Sequence, residues 1–358
     1  FKMYSKFIKR TTASILCPLL FYTRSYLLSK PFYSGLGSIL MFHRVCPNGS
    51  KRRIRGNSGL EVTPEYLEST IRFLRQNNYE IVSLTRAAQI LSAGGNGEKK
   101  FAVFTFDDGY ADNYLHAYPI FKKHEVPFTI YVTTQLPDGD AILWWYLLED
   151  LILNESLIEF KFNGRKYQYS CDSFWGKEST YQDIHRLILN GPIDNLNERV
   201  QQIFKNYDDI NFLEKTSKLA LSWQQIREMS EDHLVEIGAH TINHPSLNKL
   251  SEAAVQKEME GSRDRIESEI GKKVEHFCYP FGTQNEVGER EFRIAKQCGF
   301  KTSTTTSSAN IFAEHKNFLE RLPRIAINQK RDNGNVDYLA LWLNGVFPCI
   351  LNKFKRIV

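Results

Sequence analysis

An α/β barrel is the fold class this 358-residue sequence predicts, and two observations carry it. Short apolar runs of strand length recur along the chain, and between them lie segments with helical periodicity and helix-start signals. Seven or eight such strands, mostly parallel because helices connect them, wrap into a barrel. The length suits one barrel or two modest domains. Contents of 42% hydrophobic and 24% charged residues are those of a globular protein with no low-complexity tract.

The elements follow in order. SILMFHRV (38–45) reads as a first buried strand. Thr63 then supplies an N-cap and Pro64 a first helical residue, with Tyr66, Leu67, Ile71 and Leu74 as the apolar stripe. EIVSL (80–84) is a second strand, and TRAAQILSAGG is a helix closed by Gly94 and Gly95. FAVFTF (101–106) alternates bulky and small apolar residues as a buried strand does, and Gly109 breaks it. A helix over 111–124 and the strand PFTIYVTT (127–134) come next.

Residues 135–221 interrupt this rhythm with the aromatic stretch LWWYLLEDLIL and the hairpin pattern EFKFNGRKYQY, where Asn163–Gly164 marks a turn. They read as an insertion after the fourth strand. Regularity returns with a helix from Ser222, the strand VEIGAHT (235–241), a charged helix over 251–270 ended by Gly271, and VEHFCYPFG (274–282). A helix over 286–298, the strand FKTSTTT (300–306) and the last strand ERLPRIAI (320–327) complete the series. The barrel spans 36–330, between a basic apolar segment at 1–35 and another at 331–358.

Charge is unevenly spread. Residues 1–60 hold eleven Lys and Arg and no acid, so an overall +5 leaves the remainder at −6. After Asp337 there is again no acid, and the end reads LWLNGVFPCILNKFKRIV. Apolar and basic character together suit the surface of an anionic membrane, which places the protein at a membrane or in the cell envelope. The apolar run Ala13–Tyr22 contains Pro18 and is too short to span a bilayer. It also resembles the apolar core of a signal peptide, or a terminal helix packed on the body. No basic–aromatic recognition motif accompanies the charge, which argues against nucleic acid as a partner. Six cysteines at 17, 46, 171, 278, 298 and 349 form no CxxC pair, hence neither a zinc ribbon nor a disulfide framework.

In barrels of this class chemistry gathers at the C-terminal ends of strands, and Asp107, Asp108, His240 and Pro280 all fall there. Neighbouring strand residues point to opposite sides, so the two carboxylates of TFDDG cannot do the same job: one can bind a cation while the other holds a proton. A helix cap and a solvated acid are the alternative. HTINH puts His240 and His244 four apart just past a strand, with Pro245 confining the pair to a turn. Two His and one carboxylate make a three-ligand set with open positions, the arrangement of a catalytic rather than a structural zinc. Trp144 and Trp145 could stack on sugar faces, although a small core for the inserted segment or a membrane contact explains them as well.

TFDDG, HTINH and YPFG, in this order in a βα barrel, resemble the polysaccharide deacetylase family with its NodB-homology domain. The resemblance implies a distorted (β/α)7–8 barrel of the NodB-homology type. LMFHRV and the Trp-rich stretch are similar to the branch with biofilm N-acetylglucosamine polymer deacetylases. It further implies Asp107 as general base, and Asp108, His240 and His244 as ligands of a divalent metal, most often zinc, that polarises the acetyl carbonyl. A backbone N–H near Phe281 would hold the oxyanion. The late LxH motif that supplies the acid in much of the family is missing here, with RLPRIAI in its place and His315 in a polar loop; His43 of LMFH matches the branch's alternative acid. Cys278 stands where many members carry an Arg that pairs with the base, which leaves Arg324 to orient Asp107. The implied activity is removal of N-acetyl groups from amino sugars of a polysaccharide or glycolipid. O-deacetylation, or an inactive glycan-binding or assembly protein, is the alternative.

Overall fold

The computed structural model describes residues 17–47, 53–95, 99–190, 196–207 and 212–357. Residues 13–16 of the apolar run Ala13–Tyr22, and the basic residues at 2–10, lie outside that range. Eight parallel strands form the main sheet: β1 (Gly37–Phe42), β2 (Glu80–Ile81), β3 (Phe101–Phe106), β4 (Phe128–Val132), β5 (Val235–Ala239), β6 (His276–Cys278), β7 (Thr302–Thr304) and β8 (Ile325–Ala326). Their order is β7-β6-β5-β4-β3-β1-β8, with β2 beside the start of β3. The residues leading into β8 turn back to β7 through a parallel Thr304–Leu322 bridge and the bonds Leu322 N–Ser303 O and Thr305 N–Leu322 O. The sheet thus curls onto itself as a distorted (β/α) barrel.

Strand residues have two phases, and each packs into its own layer. One phase (Leu40, Phe42, Phe104, Phe106, Ile130, Val132, Ile237, Phe277, Ile325) faces the surrounding helices in the largest apolar cluster. The other (Ile39, Phe101, Val103, Tyr131, Cys278, with Leu322) fills the barrel interior. Carried forward, the interior phase reaches His43, Asp107, His240 and Cys278, and backward from β8 it reaches Arg324. The chemistry-bearing residues are therefore continuations of the interior rows.

Local signals explain where the elements stop. Ser83 Oγ accepts the Arg86 N–H and caps the helix Leu84–Ser92, so the predicted strand 80–84 shrinks to two residues. Thr63 caps Pro64–Gln76, and Ser222 with Gln225 forms a capping box on Trp223–Ser230. The expected helix 111–124 begins with a π-helical turn at Asn113–Ala117 before Tyr118–His124. The predicted strand 320–327 keeps only Ile325–Ala326, because Leu319–Arg321 coils into a 3₁₀ turn.

Between β4 and β5 the chain forms the helix Trp144–Asn154, an antiparallel hairpin (Leu157–Phe162 with Arg165–Ser170) and the helix Phe174–Leu189. Asn163 and Gly164 both take positive φ, as a tight two-residue hairpin requires. This segment has its own apolar cluster, including Trp144, Leu148, Phe160, Ile184 and Phe204. No helix among the described residues is long and apolar enough to cross a membrane, and all six cysteines are free thiols.

Candidate active site

A cavity of about 990 Å³ opens at the C-terminal ends of the strands. One wall comes from the strand ends, with His43, Asp107, Asp108, His240, His244 and Phe281; the opposite wall comes from the β4–β5 segment, with Trp144, Trp145, His185 and Leu189. Trp144 packs in that segment's own core while also reaching the cavity, and the Trp145 ring lies 6.3 Å from that of His244.

Asp107 and Asp108 are both buried, yet they meet different partners. Asp107 continues the interior phase of β3 and receives a two-pronged grip from Arg324: Nη1 donates to Oδ1 and Nη2 to Oδ2, each at 2.7 Å. Arg324 is fully buried and also donates to Thr105 Oγ1 and to the Thr305 carbonyl, both at 3.0 Å. The Cys278 thiol sits 3.0 Å from Nη2, filling the remaining side of the guanidinium. Burial pushes the Asp107 carboxyl up, but Arg324, with His240 and His43, outweighs it and holds the group below the usual carboxylate range.

By strict alternation Asp108 would face the helix layer. Its φ of +75° turns the chain instead, so its carboxylate enters the same cavity. Asp108 Oδ1 lies 3.4 Å from His240 Nε2 and 3.3 Å from His244 Nε2. That buried oxygen has no hydrogen-bond partner. His240 Nδ1 stands 2.7 Å from the Cys278 carbonyl, which can only accept, so Nδ1 carries a proton and Nε2 is the nitrogen facing Asp108. An orphaned carboxylate oxygen facing two imidazole nitrogens, one with its tautomer fixed from behind, is a donor set that fits a divalent cation. Burial lowers the His240 pKa, but Cys278 and the Asp108 carboxylate raise it well above the ordinary value. Asp107, His240 and Cys278 also lie within ligand reach of one another. The Arg324 charge, occupying both Asp107 oxygens, makes that group unfit for a cation.

The loop carrying His244 is fixed from the helix Glu252–Ile270. Glu258 accepts the backbone N–H of Ile242 at 2.9 Å and of Asn243 at 3.0 Å, as well as the Asn243 amide. Thr241 and His244 have φ of +66° and +53°, and Phe281 has +60°. Counting Asp108, four non-glycine residues of one site occupy the left-handed region, a cost that surrounding contacts must hold in place. The Phe281 N–H meets no acceptor among the described residues, while its carbonyl accepts from Thr306 Oγ1 at 2.6 Å.

His43 stands at the end of β1 with its side chain in the cavity. Asn113 Nδ2 donates to its carbonyl at 2.8 Å. Asp112 holds the next two residues, accepting from Arg44 Nε at 2.7 Å and from Val45 N at 3.1 Å. Burial pushes the His43 imidazole down, and the carboxylates of Asp108 and Asp107 offset that only in part. His315 is fully buried elsewhere, where its Nδ1 accepts the Phe312 N–H at 2.9 Å.

The structure thus brings His43, Asp107, Asp108, His240, His244 and the Phe281 backbone to one cavity, with Arg324 behind Asp107. Sequence reading missed Glu258 and Asp112. Glu258 had a signal: it occupies the apolar stripe of its helix with Val255, Met259, Ser262 and Ile266. His185, given no role from sequence, lines the cavity 4.9 Å from the Trp144 ring.

Comparison with known proteins agrees with this fold. The polysaccharide deacetylase family model matches residues 94–168 and 190–303. YxkH of Bacillus subtilis (strain 168), also placed among the polysaccharide deacetylases, is 23% identical over 268 residues, a match covering 75% of this chain. The chain spans 63% of that relative's length. Among solved structures, the Streptococcus pyogenes deacetylase PplD in complex with acetate is similar at a TM-score of 0.55 and 20% identity, over 86% of this chain and 97% of that one. IcaB from Ammonifex degensii is similar at 0.54 and 19%, over 87% and 98%. At these identities the structural likeness speaks for the fold. The family model covers more than half of the residues, and the chain belongs to the polysaccharide deacetylase family.

Proposed function

We propose that this protein is a metal-dependent hydrolase that removes N-acetyl groups from amino sugars of a polysaccharide or glycolipid. The observation that carries the reading is Asp108 Oδ1, buried and without a partner between two imidazole nitrogens, one residue from an arginine-clamped aspartate. Asp108, His240 and His244 would hold the cation, zinc being the best match to two imidazoles and a carboxylate. When bound, it polarises the acetyl carbonyl and lowers the pKa of a water.

The chain's own residues supply the remainder. Asp107 is the general base that takes the water's proton, and the Arg324 fork keeps its carboxylate aimed and ionised before the reaction. The free Phe281 N–H donates to the carbonyl oxygen as negative charge develops on it. An amide nitrogen leaves only when protonated, and His43 is the donor we assign. Burial favours its neutral form, so it takes up a proton from solvent in the open cavity before donating, and Asp107 returns the water's proton to solvent afterwards, which closes the balance.

Two measurements test this reading. The purified protein should contain one divalent metal and release acetate from an N-acetylglucosamine oligomer. His43→Gln should lower turnover by roughly 10²–10⁴-fold with metal content unchanged. Release from O-acetylated polysaccharide alone would convert the assignment to an O-deacetylase. Glycan binding with neither metal nor acetate release would make the protein a binding or assembly module.

A further inference from the structure

We propose that the two ends of the described chain form one docking face for an anionic lipid surface. They pack together although they are over 300 residues apart. Residues 17–22 are helical, and with the helix Tyr26–Tyr33 they lie against Leu339–Leu343 and Val346–Leu351. Phe21 stacks on Tyr26 at 5.8 Å and meets the edge of Tyr338 at 5.6 Å. Ser29 Oγ donates to the Asn344 carbonyl at 2.8 Å, Tyr33 OH to the Phe354 carbonyl at 2.9 Å, and Arg356 Nε to the Phe32 carbonyl at 2.8 Å. Gly345 has a φ of +81°, and a Cβ there would collide with Tyr33, so the approach is close.

This unit leaves its outer face apolar. Of the twelve large hydrophobic side chains exposed among the described residues, eight fall between residues 19 and 32 or between 350 and 354. Leu28 is 78% exposed, Phe32 61% and Phe354 73%. Leu28 and Phe32 lie one helical turn apart, and the bonds from Arg356 and Tyr33 bring Phe354 beside them. A contiguous exposed cluster of this kind marks an interaction surface.

Charge decides which partner fits. Lys30, Lys353 and Lys355 are exposed among these apolar residues. The sequence has no acid in residues 1–60 and none after Asp337; Glu314 reaches the edge of the face, 3.8 Å from Arg356. Lysine is depleted in the cores of protein–protein interfaces, so a protein partner would have to desolvate several. A second copy placed face to face would set like charges against each other. An anionic bilayer takes both features at once, with apolar side chains entering the acyl boundary and lysines among the headgroups.

The test is co-sedimentation of the full chain with phosphatidylcholine vesicles, with and without phosphatidylglycerol, at low and high salt. Binding should require phosphatidylglycerol and weaken with salt. Leu28→Asp combined with Phe32→Asp should reduce partitioning roughly tenfold or more. Lys353→Glu combined with Lys355→Glu should reduce it about fivefold per residue and abolish the anionic preference. Both pairs are exposed, so an unchanged thermal midpoint checks the fold. Equal binding to neutral vesicles, or wild-type partitioning by both variants, would overturn the proposal. Self-association in sedimentation velocity that Leu28→Asp abolishes would assign the face to a second copy instead.

Discussion

The two ends of the barrel interior are made from the same strands but from different materials. At the foot, the interior rows are Ile39, Phe101, Val103 and Leu322, a buried apolar plug. Four residues beyond Ile39 and Val103 the same rows reach His43 and Asp107, which meet His240 and Arg324; Asp107, His240 and Arg324 are buried and His43 is half-buried. The foot gains stability from burial in the ordinary way. The mouth places three charged or titratable groups out of water, leaves His43 half-buried, and bends four backbone positions into the left-handed region. Stability and chemistry thus occupy successive layers of one rod of side chains, and each layer should fail in its own way.

The sharpest break should come from Asp108→Ala. We expect loss of bound metal and a fall in turnover of about a thousandfold or more, read by elemental analysis and acetate release. Arg324→Met should come next, with a cost of about 3–5 kcal/mol in urea denaturation because Asp107 is left buried and unpaired. Adding Asp107→Asn to that variant should restore much of the stability while turnover stays low. At the foot, Ile39→Ala should cost about 2–5 kcal/mol and leave the turnover of folded protein unchanged. A large loss of turnover there would erase the division between layers. The smallest effect is expected for Glu258→Ala, which frees the His244 loop: metal affinity should drop about 10–100-fold, measured by competition with a chelator.

Much of this division is legible in the sequence. The alternation of strands and helices gave the barrel, and the strand ends gave the positions of Asp107, Asp108 and His240, because motif and period lie within a few residues; His43 came from the resemblance of LMFH to one branch of the family. Contacts that cross the chain were harder. Arg324 meets Asp107 across 217 positions, so its substitution for an arginine at position 278 could be suggested by the absence there but not aimed. The closure of the barrel rests on Leu322 bridging to Thr304, in a segment whose sequence reads as plain strand. The turn of Asp108 into the cavity was hidden for another reason. Alternation predicts the opposite side, and only the positive φ of a non-glycine residue corrects it. Glu258 was readable as an acid on an apolar stripe, yet its target loop was not.

One feature of the first strand sets a working height. Gly37 follows directly on the docking unit, and His43 lies six residues later at the mouth, a rise of about 20 Å. A molecule resting on lipid by its foot would hold its opening above the headgroups, facing the aqueous side. Sugars attached directly to that same bilayer would sit below its reach. Under the two proposals together, long chains that rise from the surface and fold back toward it would come within its grasp.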